Sequence, residues 1–217
     1  MIENERLVFE VNAEQLSFKD VIKKDFLSID MYPISDENPN NNGSHFTIES
    51  LHNSLSSFIS KPVVGFFTSQ NDFESHKGKW VKDRETGVAY WDVSEGERPL
   101  GVIRESDTLE VVEKDGKHWI HLSCVLWTQY GFRQIKRLLK DKHKKVSVEI
   151  DVLEYHMDDH GIKHIDKFNL IGITILGSRN GQPVKEGIND AHLSVLANID
   201  ENDPIYSKQR AALCFAY

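Results

Sequence analysis

Cysteine is scarce in this chain of 217 residues: only Cys124 and Cys214 occur. That excludes a disulfide framework and any cysteine-rich zinc site. Cys124 falls in the apolar run His121-Leu122-Ser123-Cys124-Val125-Leu126, where a buried, inert thiol is the expected role. No apolar run approaches the length that spans a bilayer. The N-terminus, MIENERLVFEV, lacks a basic region followed by an apolar block, so no secretory signal is expected and cytoplasmic synthesis is. Basic residues are outnumbered, with 26 Lys and Arg against 34 Asp and Glu and a formal charge of -8. This argues against a nucleic-acid partner, because phosphate contacts need a basic face. The one basic cluster, Lys136 to Lys145, reads as the end of a helix, where cations favour the macrodipole. A phosphate loop is also missing, since Gly177-Ser178-Arg179-Asn180-Gly181 follows a strand without opening an evident helix.

What the chain does have is a strand pattern. Val146, Val148, Ile150 and Val152 alternate with Ser147, Glu149 and Asp151, the period of a strand with one buried face. Other strands are expected at 7–11, at 26–32 with Pro33 as its stop, and at 63–67, 87–93, 99–103, 109–112 and 118–126. Asp115-Gly116 marks a hairpin turn, and Asp158-Asp159-His160-Gly161 a second one, from which the chain returns through Ile175. Ile48, Leu51, Leu55 and Phe58 recur at helical spacing behind a capping Thr47. Phe132, Ile135, Leu138 and Leu139 give a second helix face within 128–141. Asp36 to Ser44, rich in asparagine, reads as a flexible surface loop, and 68–87 as a long irregular one. The fold class expected is therefore α+β: a mainly antiparallel β-barrel with helices packed outside. Residues 1–197 form one domain, and 198–217 a mobile C-terminal tail.

Two groups of residues could carry chemistry. A serine nucleophile needs a base, a group that orients the base, and donors aimed at an oxyanion. Ser147 is the candidate nucleophile, although a strand serine is ordinarily a surface residue. His76 is the candidate base, because it lies in a polar segment near Gly78 rather than on an apolar face; a solvated loop histidine is the plainer reading. The second group, His156, Asp158, His160 and His164, has ligand chemistry suited to zinc or iron. The turn at Asp159 and Gly161 is expected to keep these side chains from converging, so no metal or other cofactor is predicted.

The order of the apolar strand 62–67, His76, Pro99-Leu100-Gly101, Val146-Ser147-Val148-Glu149 and Phe168 to Gly177 resembles the prohead proteases of tailed phages, relatives of the herpesvirus assembly proteases (assemblins). The resemblance covers residues 60–190 approximately. It implies a herpesvirus-protease-like barrel, Ser147 as nucleophile, His76 as base, and Ser178 and Arg179 in an oxyanion loop. Herpesvirus enzymes carry a second histidine near the position of Leu170, which cannot orient an imidazole. Asp166 is the favoured substitute, four residues earlier on the same strand face. Glu149, about 7 Å from Ser147 by strand rise, and His164 are the alternatives. The implied activity is a serine endopeptidase that cleaves scaffold protein and major capsid protein, and itself as a further candidate, inside an assembling prohead in the host cytoplasm. A homo-oligomer is left open, and neither nucleic acid nor membrane is an expected partner. The alternative is a catalytically inactive core or scaffolding protein of the same fold. The last residues, 211–217, are a candidate self-cleavage segment or scaffold-docking peptide.

Overall fold

The computed structural model describes residues 25–196 except 94 and 95. The strand expected at 7–11 and the tail at 198–217 lie outside the described residues. Alternation sets the architecture. In β1 (Phe26–Ser35) Leu27, Ile29 and Met31 turn inward, and β8 (Lys117–Trp127) answers with Ile120, Leu122 and Leu126. The two pair antiparallel along nearly their full length. Beyond them come β3 (Pro62–Gly65), β6 (Arg98–Val102), β9 (His143–Met157), β10 (Lys163–Ile175) and β13 (His192–Val195). Running β1, β13, β9, β10, β3, β6, β8 and back to β1, these seven strands close a mixed barrel. The β10–β3 joint is parallel, and the other six are antiparallel. Closure removes the edges that an open sheet would present.

Shorter pieces decorate the barrel. β2 (Ser44–Phe46) lies parallel to the start of β10, and β7 (Leu109–Lys114) forms the hairpin with β8. β4 (Lys79–Lys82) and β5 (Ala89–Asp92) make a separate two-stranded ribbon, and β11 (Ser178–Arg179) pairs β12 (Gln182–Pro183). Among the described residues there are two short α-helices, α1 (Ile48–Ser54) and α2 (Phe132–Asp141). Thr47 caps α1 by accepting from the Ser50 amide at 3.0 Å. Leu51, Ile135 and Leu138 bury the inward faces of the helices. Among the described residues no helix is long and apolar enough to cross a membrane. Cys124 is buried, and that burial pushes its thiol pKa well up.

Three expectations need correction. Pro33 does not stop β1; a register shift between Met31 and Ile34 takes up the proline, and the strand runs to Ser35. Nor is the 36–44 loop merely a loose surface segment. Asn40 is buried, and its carboxamide oxygen accepts from the Asn42 and Ser44 amides at 3.0 and 3.1 Å. Finally, part of the 68–87 segment forms β4, whose partner β5 lies beyond the Asp83–Gly87 turn.

Candidate active site

Ser147 and Glu149 project from the same face of β9, two residues apart. Across the ladder Ser147 faces Thr174 and Glu149 faces Gly172. The glycine leaves room: a Cβ at 172 would lie 3.3 Å from Glu149 Oε2. His76 reaches this face from a loop held on several sides. The Phe66 carbonyl accepts from the Glu74 amide at 2.9 Å, and the Gly177 and Ser178 amides donate to the carbonyls of Glu74 and Phe73 at 3.0 and 2.9 Å. Gly177 makes that docking possible, because a Cβ there would sit 2.2 Å from the Phe73 oxygen. Phe73 is fully buried beneath the loop, and Asp72 ties it to β9 through Lys144 at 2.8 Å. Burial raises the Asp72 pKa, but Lys144, Ser178 and Arg137 hold it below the usual carboxylate value.

The loop delivers His76 Nδ1 to Glu149 Oε1, and the two form a hydrogen-bonded pair. Glu149 is buried, and His76 keeps about a third of its side chain exposed. Burial alone would push the imidazole pKa down. The hydrogen bond and charge of Glu149 outweigh it, with a smaller contribution from the Glu97 side, so His76 stands above its ordinary value of 6.5. The pair therefore stabilises the fold fully below an ordinary imidazole pKa, and the stabilisation is lost as pH rises through the raised one. Thr174 Oγ1 contacts the same Glu149 oxygen and also lies 2.9 Å from Glu97 Oε1. The Gly78 amide donates to Glu97 Oε2 at 2.9 Å. Thr174 and Glu97 are both buried, and burial raises the Glu97 pKa.

A cleft of about 430 Å³ opens over this group, lined by His76, Ser147, Glu149, Asn42, Trp91 and Lys185 among others. Ser147 also borders a second cavity of about 270 Å³, whose walls include Phe46, Val148, Ile150 and Ile165. Ser147 and His76 thus share one cleft, although no hydrogen bond joins them among the described residues. Catalytic contacts of this kind often tighten only when substrate binds. His76, Glu97 and Glu149 each offer a ligand atom within 4.8 Å of the others, so the same trio has the donors to hold a divalent cation.

Other candidates fall elsewhere. Asp166 is not brought to His76: bulges around Lys167 shift the β9–β10 register, and its carboxylate lies 2.8 Å from His156 Nδ1 on the exposed hairpin. Counting residues along an ideal strand missed those bulges. His164 is also remote from His76, with its Nδ1 2.9 Å from His45 Nδ1 and its Nε2 3.2 Å from Asp158. The hairpin does not separate all its histidines, since His156 and His164 are register partners with stacked rings. Ser178 and Arg179 brace the His76 loop: Ser178 Oγ donates to Asp72 at 2.9 Å and Arg179 Nε to Glu74 at 3.0 Å. The Gly177 and Ser178 amides are already committed to the same loop, so they are not free for an oxyanion. Sequence reasoning missed Glu97, Thr174, Asn42 and Trp91. Thr174 had a signal, a hydroxyl inside the apolar run Gly172 to Leu176; Glu97, in an irregular turn, had none.

Fold and geometry define a mainly β protein with a closed mixed barrel and a histidine–carboxylate cluster beside a strand serine. The chain belongs to the YonD N-terminal domain family, whose model matches residues 25–213. The family takes its name from a Bacillus phage-region protein, and the name carries no protease activity. No curated protein and no solved structure matches the chain.

Proposed function

We propose that the protein is a serine endopeptidase of the prohead-protease type, with the barrel of the herpesvirus assembly proteases, and that it cleaves scaffold and capsid proteins during phage head maturation. The observation that carries the reading is the His76–Glu149 pair, buried at its carboxylate end and set in one cleft with Ser147. Ser147 Oγ attacks the scissile carbonyl. His76 Nε2 takes its proton and returns it to the leaving amine, while Glu149 fixes the imidazole through Nδ1 and stabilises the imidazolium that forms. Glu149 thus fills the orienting role expected of Asp166. With the Gly177 and Ser178 amides occupied, side-chain donors along the cleft take the oxyanion, and the Asn42 carboxamide and Lys185 ammonium are two of them. The resemblance of the motif order and the phage-type family name support the head-maturation setting.

The test is co-incubation of the full chain with candidate phage scaffold and major capsid proteins, read by mass spectrometry. Defined fragments are expected from the wild type, with losses of about 10⁴-fold or more in Ser147→Ala and in His76→Ala. Intact substrate with the wild type, or undiminished cleavage by folded Ser147→Ala, contradicts the proposal. The first of these results is the one the inactive scaffolding alternative predicts.

A further inference from the structure

Ser147 stands between two hollows. Asn42, Ser147, Val148, Ile150 and Gly187 line both the cleft over His76 and the neighbouring cavity of about 270 Å³. The hollows adjoin because β13 pairs β9 only from His143 to Lys145. Beyond Val146 the loops that carry Asn42 and Gly187 flank β9 instead. They are tied in place: Asn41 Nδ2 donates to the Glu186 carbonyl at 3.1 Å, and Lys145 Nζ lies 2.6 Å from the Glu186 carboxylate.

The walls of the cavity set what it can hold. The parallel β2–β10 joint puts Phe46 opposite Ile165, and both are buried, as is Ile188. Val148, Ile150 and Val152 share one face of β9 and add three branched side chains. Two of the polar walls bind each other, the Asn40 carboxamide and the Ser44 hydroxyl, at 3.0 and 3.1 Å. Lys163 Nζ sits over the Tyr155 ring, 4.6 Å from its centroid. Among the described residues no carboxylate lines the cavity. A hollow of about 150 Å³ with aliphatic and aromatic walls takes a benzene ring. This larger one has space for the side chain of Leu, Met or Phe, whereas an acidic one would leave water for apolar walls.

We propose that this cavity is the specificity pocket of the site, and that it seats a bulky apolar side chain of the substrate on the acyl side of the scissile bond, within two residues of it. The inference rests on the protease reading. His76 returns its proton to the leaving amine, so the amine half of the substrate lies against His76. The acyl half, bonded to Ser147, is left to the hollow on the other flank.

The test is digestion of a proteome-derived peptide library by the wild-type full chain, with cut sites read by mass spectrometry. Leu, Ile, Met or Phe is expected to be enriched at one of the two acyl-side positions. In peptides varied at that position, kcat/KM should fall about tenfold or more from Leu to Ala, and at least as far from Leu to Glu. Ile150→Phe narrows the cavity and should bring the Leu-to-Ala ratio below about threefold. Val152→Phe, at a position more than a third exposed, repeats the test where the fold is least at risk. Binding is read without turnover by methyl NMR of full-length Ser147→Ala. The Val148, Ile150 and Ile165 methyls are expected to shift with N-acetylleucinamide and not with N-acetylglutamic acid α-amide. Cut sites without apolar enrichment, or an unchanged Leu-to-Ala ratio in the folded variants, would overturn the pocket and leave the protease reading standing. A wild type that cuts nothing, with methyls that still shift with the leucine probe, would reject the protease reading and keep the cavity as a seat for apolar side chains. Methyls that do not shift would overturn the pocket.

Discussion

Two places on the β9–β10 ribbon combine histidine with carboxylates, and they differ in what surrounds them. Near the barrel, His76 meets buried Glu149, with Thr174 and Glu97 behind it and a cleft in front. Toward the hairpin tip, His156 pairs with Asp166, and His164 with Asp158 and His45. There His156 and Asp166 expose 60% and 38% of their side chains. Water screens such a pair, so it adds little to stability. At the barrel the low-dielectric surroundings make each hydrogen bond and charge count, and a serine stands on the same strand face. Residue type nominates a site, and burial decides whether the residues can act on one another.

The largest break in this comparison is expected from Glu149→Gln. It keeps the shape, removes the charge that holds the imidazole, and should lower kcat by about 10³- to 10⁴-fold. Because the neutral imidazole is the base, wild-type activity should rise with pH through the raised His76 pKa, above 6.5. The residual activity of Glu149→Gln should rise at lower pH, since burial then acts on His76 with less opposition. A pH–rate profile with the same rising limb in both proteins would show that Glu149 does not tune the base. The smallest effect is expected at the hairpin: Asp166→Asn should leave cleavage within about twofold of wild type, the range of ordinary surface substitutions. A loss as deep as that of Glu149→Gln would move the acid to the other region.

Much of the barrel was legible because strand alternation is local. The β9 pattern and the Asp115-Gly116 and Asp158–Gly161 turns all declare themselves over a few residues. Pro33 and Asp166 were misread for one shared reason: register shifts near each are set by pairing with a distant strand. The asparagine-rich loop was misjudged because its order comes from Asn40 bonding back to the Asn42 and Ser44 amides and from Asn41 donating to the Glu186 carbonyl at 3.1 Å. Composition shows neither the turn nor the distant partner. Glu97 is the hardest case. It sits in an irregular turn far along the chain from Glu149, and only the parallel joint between β10 and β3, followed by the β3–β6 pairing, brings it to Thr174.

The most direct measurement is labelling of the full chain with a fluorophosphonate, followed by peptide mass spectrometry. A serine activated by a neighbouring imidazole reacts far faster than an ordinary hydroxyl. The account predicts a stoichiometric adduct on Ser147 that is lost in His76→Ala and strongly reduced in Glu149→Gln. No adduct on Ser147, or one formed equally fast without His76, would contradict it.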